Sequence, residues 1–560
     1  MSTKQQIYKI LTKKYGLTLK TEALKYLETC VSDHSPAELV DTLNYIATSY
    51  IQQQDGGHRL VDRASLERVV ESINRKAAIH KSLEDTGSVI PTNHSSHGGM
   101  AGGSDADLDV NINIENIAAY MHVIDAFDVP RWKFRSDGKS FVEVAQSGHL
   151  LAGASQKAAG YRDRYDLIKE RILRNEAFRA SSFARKDDYL EIMPIKNLQG
   201  HKPGSYLLFG MLTQITEGKY HLEDPDALIE LELDGKIEKG MGLFTLNCFV
   251  LVEGLYTEER TFKVRTLGMP LPEPRAKSIA AFGHNVNFFG APSTGDEQVI
   301  LEKIESSMTD VMFVIVSDVW LDQPRVVMKL RQLFDGFSSE AAIRPLAFIF
   351  IGSFISTPYI FDGASAAAYR DCWNTLADLL SDFHDLAQNC HFIFIPGPND
   401  PWNANILPRP GLPTFFTDRM RAKLAHAHFM SNPCRIKYCT QEIVVFREDL
   451  TNRMRRNCIV SPADSEDVVP IEKHLVATIV DQAHLCPLPI TVRPTYWAYD
   501  HALRIYPQPH LLVLADRYES YVVEYEGCQC VNPGAFPNAE FGFMVYWPAT
   551  RVCETSKIGA

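Results

Sequence analysis

Three short apolar runs near the middle of the chain govern how the rest is read: Val311–Val316 (VMFVIV), Leu346–Ile351 (LAFIFI) and His391–Ile395 (HFIFI). Each is too short for a helix, is rich in β-branched and aromatic residues, and ends in a polar or turn signal. That is the pattern of parallel strands buried on both faces. Helical segments at Arg325–Phe334 and Tyr369–Ala387 alternate with them, so the stretch from Asp310 to Asp400 predicts a strand–helix–strand–helix–strand α/β unit. The runs are followed by Ser317-Asp318-Val319-Trp320, Gly352-Ser353 and Pro396-Gly397-Pro398-Asn399-Asp400. These sit at the carboxyl ends of strands, where parallel sheets place their sites. Ile443–Phe446 (IVVF) predicts that the sheet resumes, and Leu511–Leu514 adds a further strand.

Towards the N-terminus the period is helical. Over residues 1–78, Ile7, Ile10, Leu11 and Tyr15 share one helical face, and Leu24, Leu27 and Val31 a second. Ser35-Pro36-Ala37-Glu38 is a capping box with Pro at the first helical position, opening a third helix striped by Leu39, Leu43, Ile46 and Tyr50. Leu66, Val69, Val70 and Ile73 mark a fourth. Residues 79–110 are dense in Gly, Ser and Asp with no sustained apolar period, so they read as a flexible linker that cannot offset its ordering entropy. His94 and His97 in that tract lack Cys or carboxylate support and read as solvated.

Residues 111–270 read as a connecting segment and a small barrel. A segment around Phe134, Phe141 and Val144 precedes a helix at Tyr161–Arg179, with Tyr165, Ile168, Ile172 and Leu173 on one side. Strand signals follow at Ser205–Ile215, Lys219–Leu222, Ala227–Leu233, Leu243–Leu255 and Arg260–Leu267, about five strands, enough for a closed barrel of the OB type. OB folds often bind single strands through exposed aromatics over a basic groove. Phe209, Tyr220, Phe244, Phe249, Tyr256 and Phe262 are the candidates, but the surrounding Glu217, Glu223, Asp224, Asp226, Glu230, Glu232 and Asp234 are acidic. A protein-docking or structural barrel fits that charge better. The remainder, 271–560, holds the α/β unit, giving a multidomain chain.

Composition narrows the function classes. The 560 residues suffice for several cores, and a net charge of −12 is the wrong sign for a general nucleic-acid binder. No apolar run approaches the ~18–20 residues that span a bilayer, so no membrane is expected. The start, MSTKQQIYKI, lacks a secretory h-region, and the 11 Cys follow no regular framework, which points to a reducing compartment. Cys434 and Cys439, and Cys528 and Cys530, have poor spacing for zinc knuckles and read as buried small hydrophobes. Arg453, Arg455 and Arg456 read as a solvated or partner-facing patch.

The strand-end turns resemble those of the calcineurin-like metallophosphoesterases, which read Asp-x-His, Gly-Asp and Gly-Asn-His-Asp/Glu and hold two metals that activate water. Asp318 matches the first Asp, but Trp320 replaces the His, Ser353 the bridging Asp, Pro398 the Asn and Asn399 the next His; Asp400 fits. Gln482-Ala483-His484 places His484 where the family has a metal-binding His. The strand at Leu511–Leu514 ends in Ala515-Asp516-Arg517-Tyr518 instead of Gly-His-x-His, so Asp516 and Tyr518 stand at lost His positions. Val531-Asn532-Pro533-Gly534-Ala535 matches the closing turn. Two surviving ligands cannot hold two ions. This resemblance therefore implies no catalytic residues, no cofactor and no bound metal, only a vestigial pocket.

An OB barrel followed by such a degenerate domain resembles the B-subunit family of eukaryotic replicative polymerases. The blocks Ser317–Gln323, Asn432–Ile436, Tyr438–Ile443 and Tyr496–Asp500 are similar to its DNA polymerase epsilon members. The resemblance implies a non-catalytic nuclear scaffold for DNA replication. Its body would bind the zinc-bearing C-terminal domain of the polymerase epsilon catalytic subunit, and DNA only indirectly through the complex. Residues 1–78, similar to the C-terminal helical domain of AAA+ ATPases, would contact the GINS part of the replicative helicase. Two rivals remain: a single-stranded DNA-binding OB protein, and an active metal-dependent phosphodiesterase with Asp322, Asp400 or Asp516 as replacement ligands.

Overall fold

In a computed structural model, the described residues are 120–135, 137–144, 149–179, 189–233, 237–282, 289, 295–339, 344–401, 406–460 and 469–559. Before them, residues 7, 11, 18–30, 42–43, 46, 60–61, 63, 66 and 70 are described. The capping box at Ser35–Glu38 and the 79–110 stretch with His94 and His97 lie outside the described residues. The chain divides into two units, Met1–Ile112 and Asn113–Ala560. In the first, a helix spans Thr21–Cys30, and the short strands Thr18–Leu19 and Leu60–Val61 pair in parallel. Ile7, Leu11, Leu27, Leu43, Ile46, Leu66 and Val70, from all four predicted faces, are buried in one cluster.

The second unit begins with a strand that the sequence pattern did not signal: Met121–Asp125 pairs antiparallel with Cys434–Tyr438. A hairpin of Trp132–Arg135 and Ser140–Glu143 follows, burying Phe134 and Phe141. The next helix runs Ala154–Leu173, seven residues earlier than its apolar face suggests, because its first turns carry only small and polar residues; Glu176–Phe178 is a separate 3-10 turn.

Five strands then close into a barrel: Gly204–Thr216, Lys219–Glu223, Leu228–Glu232, Phe262–Gly268 and Phe249–Tyr256, the last pairing back to the first. Leu228–Glu232 and Phe262–Gly268 are the parallel pair. Alternation puts Leu208, Leu222, Ile229, Leu231, Val250, Val252, Phe262 and Val264 inside. The predicted single strand Leu243–Leu255 is broken. Asn247 adopts a φ of 70°, and Phe244–Thr245 leaves the barrel to pair with Cys458–Val460.

The rest is two stacked six-stranded sheets flanked by helices. In the first, Phe313–Ser317, Ala347–Ile351, His391–Ile395 and His426–Phe429 are parallel, and Gly542–Trp547 and Val552–Lys557 add an antiparallel edge. All fifteen residues of the first three strands are buried, as double-sided runs require. Helices Pro324–Ser338, Gly363–Ser381, His384–Asn389 and Thr414–Lys423 belong to this sheet's side of the unit.

IVVF does not resume this sheet. It lies in Gln441–Arg447, near the centre of the second one, between Cys434–Tyr438 and Leu511–Ala515. A run buried on both faces carries no label for which sheet it joins. The sheets meet face to face where Phe313 packs edge-on to Tyr438 at 5.7 Å and Tyr546 Oη donates to Gln441 Oε1 at 2.7 Å. No described helix is long and apolar enough to cross a membrane.

Candidate functional site

The carboxyl ends of both sheets converge, so Asp318, Gly352-Ser353 and Pro396–Asp400 from the first face Arg447, Asp516 and Asn532 from the second. Gly352 and Gly397 touch here. A Cβ on Gly352 would overlap the Asp400 carboxylate and Gly397 N, and one on Gly397 would overlap Ser353 N. Only glycine permits the two turns to pack this closely.

Asp318 is fully buried, at a φ of 55°. Its carboxylate accepts the Ser353 N–H at 3.1 Å and a two-pronged contact from Arg447 Nη2, at 3.0 Å to Oδ1 and 2.9 Å to Oδ2. The Arg447 side chain is itself fully buried. Its Nε donates to Gly352 O at 2.9 Å and its Nη1 to Asp449 Oδ1 at 2.8 Å. Burial works against the guanidinium charge, but Asp318 and Asp449 outweigh it and hold Arg447 above its ordinary pKa. Asn432 fixes the arginine's backbone from both sides, accepting Arg447 N–H at 3.0 Å and donating to Arg447 O at 2.7 Å.

The other predicted positions are equally committed. Ser353 Oγ accepts the Asn399 N–H at 3.1 Å, and Asn399 Nδ2 donates away from the cluster to Ile355 O and Ser356 O. Asp400 accepts from Gly397 N at 2.7 Å, Phe354 N at 2.8 Å and Tyr369 Oη at 3.2 Å, and burial pushes its carboxyl up to about 6. Asp516 caps Thr451 N at 2.8 Å and its own turn at Tyr518 N. Asp322 accepts both the N–H and the hydroxyl of Ser356. Trp320 is partly buried against the helix-side core, and Pro398 only lines the turn.

His484 is elsewhere. Its Nδ1 accepts Cys486 N at 3.1 Å, which leaves the proton on Nε2, 3.1 Å from Asp500 Oδ1; burial lowers its pKa and keeps the ring neutral. Among the described residues no bond joins it to Asp318.

These side chains do not fit a pair of divalent ions. The oxygens of Asp318 are occupied by a cation already in place, and those of Asp400 are saturated by N–H and O–H donors. Among the described residues no group of three or more His, Cys, Asp and Glu is arranged to hold a metal.

Sequence reasoning missed Arg409, Arg447 and Arg493, and read Arg453 as part of a solvated or partner-facing patch. Besides Arg447, Arg493 Nη2 donates to Glu448 Oε2 at 2.6 Å and Arg453 Nη2 lies 3.0 Å from Glu448 Oε1. Arg453 is therefore structural, while Arg455 and Arg456 remain exposed. Arg409 donates to Gly397 O, and burial lowers it to about 10. The adjacency Arg447-Glu448-Asp449 directly after a buried strand was the available signal, since charges there must be paired.

The barrel aromatics are not a nucleic-acid platform either. Phe244, Tyr256 and Phe262 belong to the barrel core, Tyr220 is partly buried against it, and Phe209 and Phe249 lie on the outer face beneath the helix Ala154–Leu173, against Tyr165, Ile168 and Ile172. Cys434, Cys439, Cys528 and Cys530 are all buried.

Two family models match, that of the DNA polymerase epsilon subunit 2-like OB-fold domain over residues 154–271 and that of the DNA polymerase alpha/epsilon B-subunit over 313–523. The chain is 37% identical to DNA polymerase epsilon subunit 2 of Homo sapiens over 555 residues, 97% of this chain and 96% of that one. It is 36% identical to the protein of the same name from Mus musculus, over 97% and 96% of the two chains, and 31% identical to that of Drosophila melanogaster, over 97% and 95%. Likeness to a solved archaeal phosphodiesterase is loose, with a TM-score of 0.22 at 10% identity over 44% of this chain and 98% of that one. Identity of 37% over nearly the full length, an OB barrel where the first model falls and paired sheets where the second falls lead to one conclusion: the chain belongs to the DNA polymerase epsilon subunit 2 family.

Proposed function

We propose that the chain is a non-catalytic accessory subunit of DNA polymerase epsilon, a scaffold whose barrel and paired-sheet body hold the catalytic subunit through its zinc-bearing C-terminal domain. The observation that carries this is the buried Arg447–Asp318 pair: a guanidinium neutralises the carboxylate that a phosphoesterase would offer to a metal. The strand ends then serve as a clamp between two sheets rather than as a reaction centre. The first unit, with its own buried apolar cluster, is an AAA+-like helical module that attaches to GINS and so joins synthesis to the replicative helicase in the nucleus. DNA is reached through the complex, since the barrel's aromatics are covered and its rim is acidic.

The decisive experiment is hydrolysis of a phosphodiester by the purified chain with magnesium, manganese or zinc. No turnover above background is expected. Metal-stimulated turnover that Asp318→Ala abolishes would contradict a scaffold role.

A further inference from the structure

The helix Ala154–Leu173 does not close fully onto the barrel. Between its first three turns, the end of the strand Gly204–Thr216 and the loop at Pro489–Thr491 lies a cavity of about 530 Å3, within the ~300–1,000 Å3 typical of ligand pockets. Its floor is apolar: Tyr165, stacked on Phe209 at 5.0 Å, with Met211 and Phe249 beside it. Its walls carry polar capacity. Thr213 Oγ1 is buried and has no hydrogen-bond partner. Tyr161 Oη accepts Asn247 Nδ2 at 2.8 Å, which leaves its own proton to give.

The barrel strand outruns its neighbour here. Phe249, the first residue of the adjoining strand, pairs with Met211, and the ladder continues only through Leu212, which donates to Cys248 O and accepts from Asn247 N, both at 2.8 Å. Backbone groups on one side of a strand recur every second residue. The ladder to the hairpin strand Lys219–Glu223 shifts register between Thr213 and Thr216, and Gln214, the next residue on the outward side, lies in the cavity wall beyond the last pair with the adjoining strand. Ile215 beyond it is 67% exposed. Arg162 on the helix wall and Glu223 on the strand wall are both exposed, and among the described residues neither side chain makes an ion pair.

We propose that this cleft takes an extended peptide segment of a protein partner, added as a strand at Gln214 with one apolar side chain lowered onto Tyr165, Met211 and Phe249. Main-chain addition uses an unpaired strand edge for affinity and the pocket for specificity. A mouth that mixes Lys157 and Arg162 with Glu223 and Asp224 suits a polypeptide, whereas its acidic pair repels a phosphate backbone. For its partner the inference rests on the scaffold reading above, which makes the catalytic subunit the source of the segment.

The test uses the assembled complex of the full chain with the catalytic subunit, carrying a photoreactive benzoylphenylalanine in place of Ala158, an exposed residue of the cavity wall. A cross-link to one segment of the catalytic subunit is expected, with amide exchange at 214–216 slowed at least tenfold relative to the free chain. Ala158→Trp, which fills the cavity, and Gln214→Pro, which removes the edge N–H, should each weaken binding at least tenfold without changing the Tm of the free chain. An intact complex with unchanged exchange at 214–216 and cross-links confined to the chain itself overturns this proposal alone. Competition for the cleft by an oligonucleotide overturns it in favour of nucleic acid. A chain that forms no complex at all overturns the scaffold reading and this one with it.

Discussion

Arg447 and Asp318 make opposite demands on each other's removal. Taking out one partner of a buried ion pair leaves an uncompensated charge and costs ~3–5 kcal/mol, whereas replacing both by neutral groups is often close to neutral. Arg447→Met should therefore destabilise the body by about that amount in urea unfolding. Asp318→Asn combined with Arg447→Met should recover most of the loss; equal, additive losses would show that the pair is not coupled.

Asp481 supplies a second residue-scale expectation. It is buried beside Tyr525 Oη, 3.2 Å from Oδ1, and burial raises its carboxyl to about 8. The folded-state value lies above the unfolded one of about 4, so the folded protein holds the proton more tightly between these two values. Stability from this group is full below about pH 4 and is lost as pH rises through about 8. Asp481→Asn, which resembles the protonated carboxyl, should gain on the natural chain by up to about 1.4 kcal/mol per pH unit across that window. A pH-independent difference in Tm between the two would contradict it.

At this scale the sequence exposed Asp318, Ser353 and Asp400, because each follows a buried run directly. It hid the partner of Arg447, which reaches Asp318 from 129 residues away through a different sheet. The run Arg447-Glu448-Asp449 signals that charges are paired there but not which distant carboxylate is involved.

Among the elements, the three central strands were the most legible, since five consecutive buried residues bounded by turns admit few alternatives. Their stability should depend on the aromatic ladder they carry. Phe350 stacks on Phe348 at 6.0 Å and on Phe394 at 5.6 Å, with Phe334 edge-on at 6.1 Å. Phe350→Ala should cost ~3–5 kcal/mol by denaturant unfolding and release the catalytic subunit in a pull-down, while a loss below ~1 kcal/mol would place the residue outside a packed core.

Less legible elements failed for separate physical reasons. The strand Met121–Asp125 has mixed burial and too little alternation to signal itself. The break at Asn247 follows from a left-handed residue inside an apolar stretch, which periodicity cannot see. The helix at Ala154 starts on residues with no apolar face.

At the level of the whole molecule, charge and burial agree: an acidic chain, a covered set of barrel aromatics and a filled strand-end cluster suit protein docking better than chemistry. The chain divides into two units, and the proposed function gives each its own partner. The measurement that tests this most directly is light scattering of the chain mixed with the polymerase epsilon catalytic subunit, run with the full chain and with one lacking residues 1–78. The expected result is a one-to-one complex in both cases. A chain that stays folded but elutes alone, or a complex that needs residues 1–78 to form, would contradict it.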